Sequence, residues 1–423
     1  MLPMREVLEF PEHFLFGTAT AATQIEGHCE DTDWAAFARE PGRIRGGDTP
    51  AVACDHLHRF REDVAIQQQL GLGAHRLSLE WARLEPGEGD FDPAAWDHYR
   101  EVLGAHRDAG ITPMVTLHHF TIPRWLAARG GLANPELPRL LSRFAAHAVE
   151  ALGDLCTLWI TINEPNVVAS HGHLLGVWPP AHHAPIEAFR VLQNLLAAHD
   201  AMYRAMHDTA SQRGHDLAAG VAHHLRIIEP DDTGRVADRA WTALYEWLFN
   251  GWFAGAVCER KTHDFFGLNY YSRDLVRFAP ERFREAFLER NVRAGAEVND
   301  LGWEIYPEGL GQLLDLWAPR AGVPVYITEN GLPDDDDDQR PRFLVRHLAE
   351  VARALQRGLD VRGYMHWSLL DNFEWAEGYA PRFGLVHVDY ETQTRTPRPS
   401  AALYARIARE RRIDDATWAA IGA

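Results

Sequence analysis

Lysine is all but missing from this chain: Lys261 is the one lysine among 42 basic residues, so almost every cation is an arginine. Acidic residues number 60, which leaves a net charge of −18 and a pI near 5.7. That sign repels phosphate backbones and anionic headgroups, and argues against nucleic acid or a charged membrane as partner. Cysteine is scarce as well. Cys29, Cys54, Cys156 and Cys258 lie far apart and match no metal or redox spacing. They read as free thiols of a reducing compartment, so a cytoplasmic location is expected. No apolar run reaches the roughly 18 residues that a membrane span needs. Residues 1–10 show no basic start followed by an apolar core, so no secretory signal is expected. No linker rich in Pro, Gly or Ser divides the chain and no repeat is visible; one domain over residues 1–423 is expected.

Short apolar stretches alternate with helical spacing from end to end. Strands are expected over residues 14–19, 75–79, 112–117, 158–161, 217–222, 264–268, 325–328 and 363–366. Helices are expected over 54–70, 92–109, 134–152, 185–207, 307–318, 340–357 and 400–412. Eight such units in a chain of this length suggest a closed parallel (β/α)₈ barrel, with its active site at the C-terminal ends of the strands. The alternative, a doubly wound open sheet, needs a glycine-rich phosphate turn after the first strand, and Gly17-Thr18-Ala19-Thr20 is not one. Residues 334–338 are five consecutive aspartates. Like charges repel, so this run reads as a solvated loop, and its spacing fits no calcium loop.

Two stretches share one grammar. Leu158-Trp159-Ile160-Thr161-Ile162-Asn163-Glu164-Pro165 is a buried strand that ends in a glutamate held between an amide and a proline. Val325-Tyr326-Ile327-Thr328-Glu329-Asn330-Gly331 delivers a second glutamate to a strand tip, where a glycine turns the chain away. One strand-end glutamate is usually a salt-bridge partner. Two are the minimum equipment for cleaving a glycosidic bond. The other strand tips supply Gln24, Glu26 and Gly27, then Arg76, then His118, His119 and Phe120, then Asn269, Tyr270 and Tyr271, then Trp367, Glu374 and Trp375. Amides, imidazoles, carboxylates and indoles suit a sugar, whose hydroxyls need donors and acceptors and whose C–H faces stack on rings. A buried arginine needs an anion, and for Arg76 the natural one is Glu329. The pairs His118-His119, His182-His183 and His223-His224 do not read as metal sites, because adjacent strand residues point to opposite faces. Trp34, Trp96, Trp159 and Trp241 are assigned to packing.

These stretches, with Phe16-Gly17-Thr18-Ala19-Thr20, Gln24-Ile25-Glu26-Gly27, Phe266-Gly267-Leu268-Asn269-Tyr270-Tyr271 and Trp367-Ser368-Leu369-Leu370-Asp371-Asn372-Phe373-Glu374-Trp375, resemble glycoside hydrolase family 1, the retaining β-glucosidase family. The resemblance runs from about residue 14 to residue 399. It implies that Glu164 is the general acid/base and Glu329 the nucleophile. It implies that Asn163 meets the 2-hydroxyl, that Arg76 and Tyr271 hold Glu329, and that Gln24, His119, Glu374 and Trp375 hold the remaining hydroxyls. Asn269 and Phe120 belong to the same substrate site, Trp367 stacks under the ring, Phe383 closes the pocket and Trp303 lines its entrance. No cofactor and no metal are implied; the ligands are small β-glycosides or short oligosaccharides. Galactosides or fucosides are expected beside glucosides.

Retention requires the two carboxyls about 5–5.5 Å apart, one protonated and one ionised. Arg76 is expected to lower the pKa of Glu329, and the charge on Glu329 to raise that of Glu164. The chain departs from the family at Phe120, where many members have tryptophan, and between residues 231 and 264, where it is short. Three rival readings remain. A 6-phospho-β-glycosidase is disfavoured because the Glu374 carboxylate would repel a phosphate. A non-catalytic sugar-binding barrel would not need both glutamates. A metal-dependent hydrolase would use some of the 23 histidines.

Overall fold

Eight parallel strands close into a barrel in this computed structural model, which describes residues 6–282 and 285–422. They are β1 (Leu15–Ala19), β2 (Ala74–Ser78), β3 (Thr112–His118), β4 (Leu158–Asn163), β5 (Ala218–His224), β6 (Phe265–Asn269), β7 (Val325–Asn330) and β8 (Val361–Trp367). Each pairs with the next in chain order, and β8 closes on β1 in the register Gly363↔Leu15 to Trp367↔Ala19. The eight strand expectations each correspond to one stave.

A helix follows each strand: α1 (His56–Leu70), α2 (Pro93–Asp108), α3 (Leu137–Leu152), α4 (Pro185–Arg213), α5 (Trp252–Arg260), α6 (Glu308–Ala321), α7 (Arg340–Gln356) and α8 (Pro399–Glu410). In α3 the buried positions include Leu137, Leu140, Leu141, Phe144, Ala145, Ala148, Val149 and Leu152, a stripe at three- and four-residue steps. Asp92 caps α2 by accepting from the amide of Ala94, 2.9 Å away, ahead of Pro93. Helix α1 starts at His56 rather than residue 54 because Asp55 sits in left-handed backbone, φ 49°. Helix α4 runs past the expected residue 207, to Arg213, and is stopped by Gly214 at φ 70°.

Met114, Ile160, Phe265, Tyr326 and Met365 pack inside the barrel, so its lower part is filled and only the upper end can hold a ligand. Sequence patterning missed a small sheet built from the loops after β5 and β6. There the strand Arg273–Phe278 lies between Ile227–Pro230 and Leu288–Asn291. Trp241 packs on this outer sheet, half-buried against Phe278 and Phe287, rather than in the barrel core.

The aspartate run is not the solvated loop expected. Asp334 is buried and accepts from the backbone amides of Gln339 and Arg340 at the start of α7. Asp337 accepts from the amide and hydroxyl of Ser400 and pairs with Arg340. Unpaired helix N–H groups and a buried guanidinium compensate the charge that repulsion alone would send to solvent. Asp335, Asp336 and Asp338 do remain exposed.

Candidate active site

The end of β4 is bent by one residue. Asn163 completes the strand, Glu164 takes left-handed backbone (φ 45°, ψ 60°), and Pro165 opens the short helix Pro165–Ala169. For a residue with a Cβ this conformation costs about 1–2 kcal/mol. It is held by the amide of Glu164, which donates to the carbonyl of Ala222 on β5, and by the proline that follows. Glu329 lies within β7, one residue beyond the expected strand end. The glycine after it is not a turn residue. Gly331 has no left-handed φ, and a Cβ there would overlap the carbonyl oxygen of Trp367. Close approach of β7 to β8 is the reason for that glycine.

One hydrogen-bonded patch joins the two carboxyls. Arg76 on β2 donates to Glu329 Oε1 at 2.5 Å, to Asn163 Oδ1 at 2.6 Å and to Thr116 Oγ1 at 3.1 Å. Tyr271 donates its phenol to Glu329 Oε2 at 2.6 Å. Asn269 Nδ2 donates to Glu164 Oε1 at 2.7 Å and to Asn163 Oδ1 at 3.1 Å. Thr328 fixes the other end of the Asn269 amide at 2.6 Å.

Both carboxyls open on a cavity of 490 Å³. Of the residues singled out in the sequence, His119, Phe120, Glu164, Tyr271, Trp303, Glu329, Trp367, Glu374, Trp375 and Phe383 line it. Gln24, Arg76, Asn163 and Asn269 are fully buried behind the lining and hydrogen-bond to it or to one another. The volume and the mixture of rings with amides and carboxyls match a small polar ligand with apolar faces. Among the described residues, Gln24 Oε1 and His119 Nδ1 are buried atoms without a protein partner. His119 Nε2 faces the Asn163 amide nitrogen at 3.3 Å, so the ring's proton sits on Nδ1 and points elsewhere. A donor and an acceptor are thus left for hydroxyl groups.

The electrostatics differ from the expectation. Burial raises the Glu329 carboxyl to about 7, over the opposing effect of Arg76 and with the help of Glu164. Burial also raises Glu164, but a charge on His224, with hydrogen bonds from His224 and Asn269, draws it below the ordinary range. That lowering needs a protonated His224. Arg226 Nε, however, points at His224 Nε2 from 3.1 Å, and an arginine can only donate, so the ring is neutral. Without that charge, Glu329 keeps a full guanidinium and a phenol donor, while Glu164 keeps dipoles only. The single proton that the pair holds near neutral pH therefore belongs on Glu164. Burial, with Glu329 and Glu164 nearby, raises Glu374 to about 8, so it is largely a neutral carboxyl at pH 7. The charge repulsion against a phosphate that the sequence suggested is correspondingly weaker. The arginines that line the cavity, Arg226, Arg273 and Arg290, follow β5 and β6; none comes from the β8 loop that carries Glu374.

His224 is the side chain beside the two carboxyls that sequence reasoning missed. Its Nδ1 lies 3.0 Å from Glu164 Oε1. The His223-His224 pair was visible, but the expected strand ended at residue 222, and only the full length of β5 puts the pair at the tip. His223 then stacks on Phe266, on the opposite face of the strand from His224, as the alternation of a strand requires. Three side-chain groups elsewhere bring possible metal-ligating atoms within 4.8 Å: His28, Asp55 and His58; His173, His182 and Glu187; Asp334, Asp336 and Asp338. None of these nine residues lines the cavity with the two glutamates.

A family model described as glycosyl hydrolase family 1 matches residues 7–261 and 256–413. "Beta-glucosidase A" of Thermotoga maritima is 36% identical, over 97% of this chain and all of the relative. A "1,4-beta-D-glucan glucohydrolase" of Thermotoga neapolitana is 37% identical, over 92% of this chain and 99% of its own. Among solved structures, a β-glycosidase from Pyrococcus horikoshii superposes with a TM-score of 0.91 at 37% identity, covering 99% of both chains. The Thermotoga maritima β-glucosidase in complex with glucoimidazole does so with a TM-score of 0.88 at 35% identity, covering 95% of this chain and 99% of that one.

Proposed function

The chain belongs to glycosyl hydrolase family 1, and from that premise we propose that it is a retaining β-glucosidase acting on small β-glycosides or short oligosaccharides. The observation that carries this reading is the pair Glu164 and Glu329, opening on one sugar-sized cavity and tied by Arg76, Asn163 and Asn269. Glu329 attacks the anomeric carbon while Glu164 gives its proton to the leaving oxygen. The glycosidic C–O bond breaks and a covalent glycosyl-enzyme forms. Glycosylation removes the charge on Glu329. Glu164, now ionised, takes a proton from water, and the hydroxide equivalent displaces Glu329 from the same face that the leaving group left.

Asn163 meets the 2-hydroxyl. Gln24 and His119 serve further hydroxyls through the atoms that have no protein partner. Glu374 as a neutral carboxyl both donates and accepts. Trp367 and Trp375 offer ring faces; each lies nearly parallel to His119, at 5.9 and 6.1 Å between centroids. Phe383 and Trp303 close the outer side, 6.3 Å apart. Phe120 sits edge-on to Trp375, with no polar atom of its own for the sugar. Galactosides and fucosides are accepted beside glucosides. The whole chain acts as one catalytic domain, needs no cofactor and works in the cytoplasm, a reading supported by four cysteines that are all free thiols.

A 2-deoxy-2-fluoro-β-glucoside tests the nucleophile directly. The expected result is a stable adduct on Glu329, read by peptide mass, and none in Glu329→Gln, which turns over no substrate. Glu164→Ala is expected to keep the first step for activated leaving groups and to be rescued by azide. Near-normal turnover by Glu329→Gln contradicts the assignment. Paired nitrophenyl glucosides with and without a 6-phosphate separate the phospho-glycosidase reading: the plain sugar alone is expected to react.

A further inference from the structure

The acid/base carboxyl has a neighbour that its role alone does not require. His224 ends β5 with Nδ1 3.0 Å from Glu164 Oε1, and the ring lies against Tyr271 (5.6 Å, nearly parallel) and Phe249 (5.7 Å, edge-on). Its other nitrogen is engaged from behind. Arg226 Nε donates to Nε2 at 3.1 Å, and Asp274 holds that guanidinium with contacts of 3.0 and 3.2 Å. The partners therefore settle the tautomer: Nε2 is the acceptor and the proton is on Nδ1, toward Glu164. Asp274, Arg226, His224 and Glu164 form a chain that runs from the outer sheet into the catalytic pair.

We propose that His224 is a positioning residue for Glu164, its Nδ1–H aimed by Arg226 so that it favours the ionised form of the carboxyl. The proposal rests on Glu164 being the acid/base. The N–H is not aligned for a hydrogen bond to Oε1, although the two atoms lie 3.0 Å apart. Such contacts commonly tighten when substrate is bound. The physical effect falls on proton transfer. When Glu164 gives its proton to the leaving oxygen it becomes a buried anion, and an N–H dipole held within 3.0 Å of it stabilises that product.

Of the remaining groups around Glu164, Asn269 and, at longer range, Arg76 act in the same direction. Asn269 from β6 donates to the same oxygen, and Asn163 precedes it on β4. Arg76 from β2 is spent on Glu329 and Asn163. Glu329 from β7 and Glu374 from the β8 loop disfavour a second charge. Tyr271 donates to Glu329. His171, behind His224, is held neutral: burial, with Arg290 and Arg226 nearby, lowers it to about 3.

The sign follows. A donor that favours the carboxylate lowers the pKa of Glu164; without it the pKa rises. The alkaline limb of kcat/KM, where Glu164 loses its catalytic proton, then moves to higher pH. The test compares phenyl β-glucoside, which needs the acid, with 2,4-dinitrophenyl β-glucoside, which does not. His224→Phe keeps the ring and removes the donor. The expected result is an alkaline limb about 0.5–1 pH unit higher with the phenyl substrate, a kcat/KM about 10-fold lower at the optimum, and little change with the dinitrophenyl substrate. His224→Asn, whose amide nitrogen takes the place of Nδ1, is expected to return the limb toward wild type. Arg226→Gln, which releases the tautomer without altering the imidazole, is expected to move the limb the same way and gives the reading if His224→Phe does not fold. An unmoved limb in whichever of the two variants folds, or equal losses on both substrates with the limb unmoved, overturns the proposal. Failure of the wild type to turn over dinitrophenyl glucoside would instead count against the glucosidase reading.

Discussion

At the scale of single residues, Glu329 is held by several groups at once. It is buried, and three of its contacts are charged or phenolic: Arg76 at 2.5 Å, Tyr271 at 2.6 Å and the opposing charge of Glu164. Burial raises it and the two donors lower it, so its poise depends on each of them. Tyr271→Phe removes the phenol and leaves the ring that packs against Trp303. A hydrogen bond to a charged group is worth about 1.5–3 kcal/mol. The expected outcome is therefore a 10- to 100-fold fall in kcat/KM with the melting temperature little changed, measured by steady-state kinetics beside calorimetry. Wild-type kinetics in that variant would show that the phenol does not hold Glu329 in a poise that activity needs.

The residues that sequence reading found are those at strand tips in short, unusual strings: Glu164 between Asn163 and Pro165, Glu329 before Asn330 and Gly331. Its misses share a physical cause. His224 lies beyond the expected end of β5, and the protonation of the pair depends on Arg226, which β5 itself does not include. Asp334 was misread because a run of like charges says nothing about the helix N-terminus folded over it.

At the scale of elements, all eight strands were legible because a barrel buries both faces of most stave positions, which leaves largely apolar runs such as those of β4 and β7. Ends were less so: β7 holds Glu329 within the strand, and α4 continues until Gly214. The outer sheet was not legible at all. Its strands are short and partly exposed, and Ile227–Pro230 pairs with a strand that begins only at Arg273, so no local period marks them. Just past the end of β7, Gly331 lies close against the tip of β8. Gly331→Ala would press a Cβ onto the Trp367 carbonyl, and a backbone carbonyl cannot rotate aside as a side chain can. Glu329 and Trp367, on either side of that contact, must shift. Displacement of a reacting group by about 1 Å costs about 100-fold. The expected result is a loss of kcat/KM of that order, with the protein still folded by circular dichroism; unchanged kinetics would show that the tip of β7 does not need its glycine.

At the scale of the whole molecule, a chain of net charge −18 builds a cavity of rings, imidazoles, arginines and several carboxyls, among them the unequal pair Glu164 and Glu329. Closure matters here. Because β8 pairs with β1, residues from the first stave's loop and the last stave's loop meet, and Gln24 hydrogen-bonds to Asn372 and Glu374 across 348 and 350 positions of sequence. In an open sheet those elements would lie at opposite edges and the sugar pocket would have no floor. The central claim is that Glu164 and Glu329 act on opposite faces of one anomeric carbon in two displacements. Proton NMR of the first-formed sugar tests it most directly. With an aryl β-glucoside the account predicts β-glucose at early times, with α-glucose appearing only at the rate of mutarotation; α-glucose as the first product would mean a single inverting displacement and would contradict it.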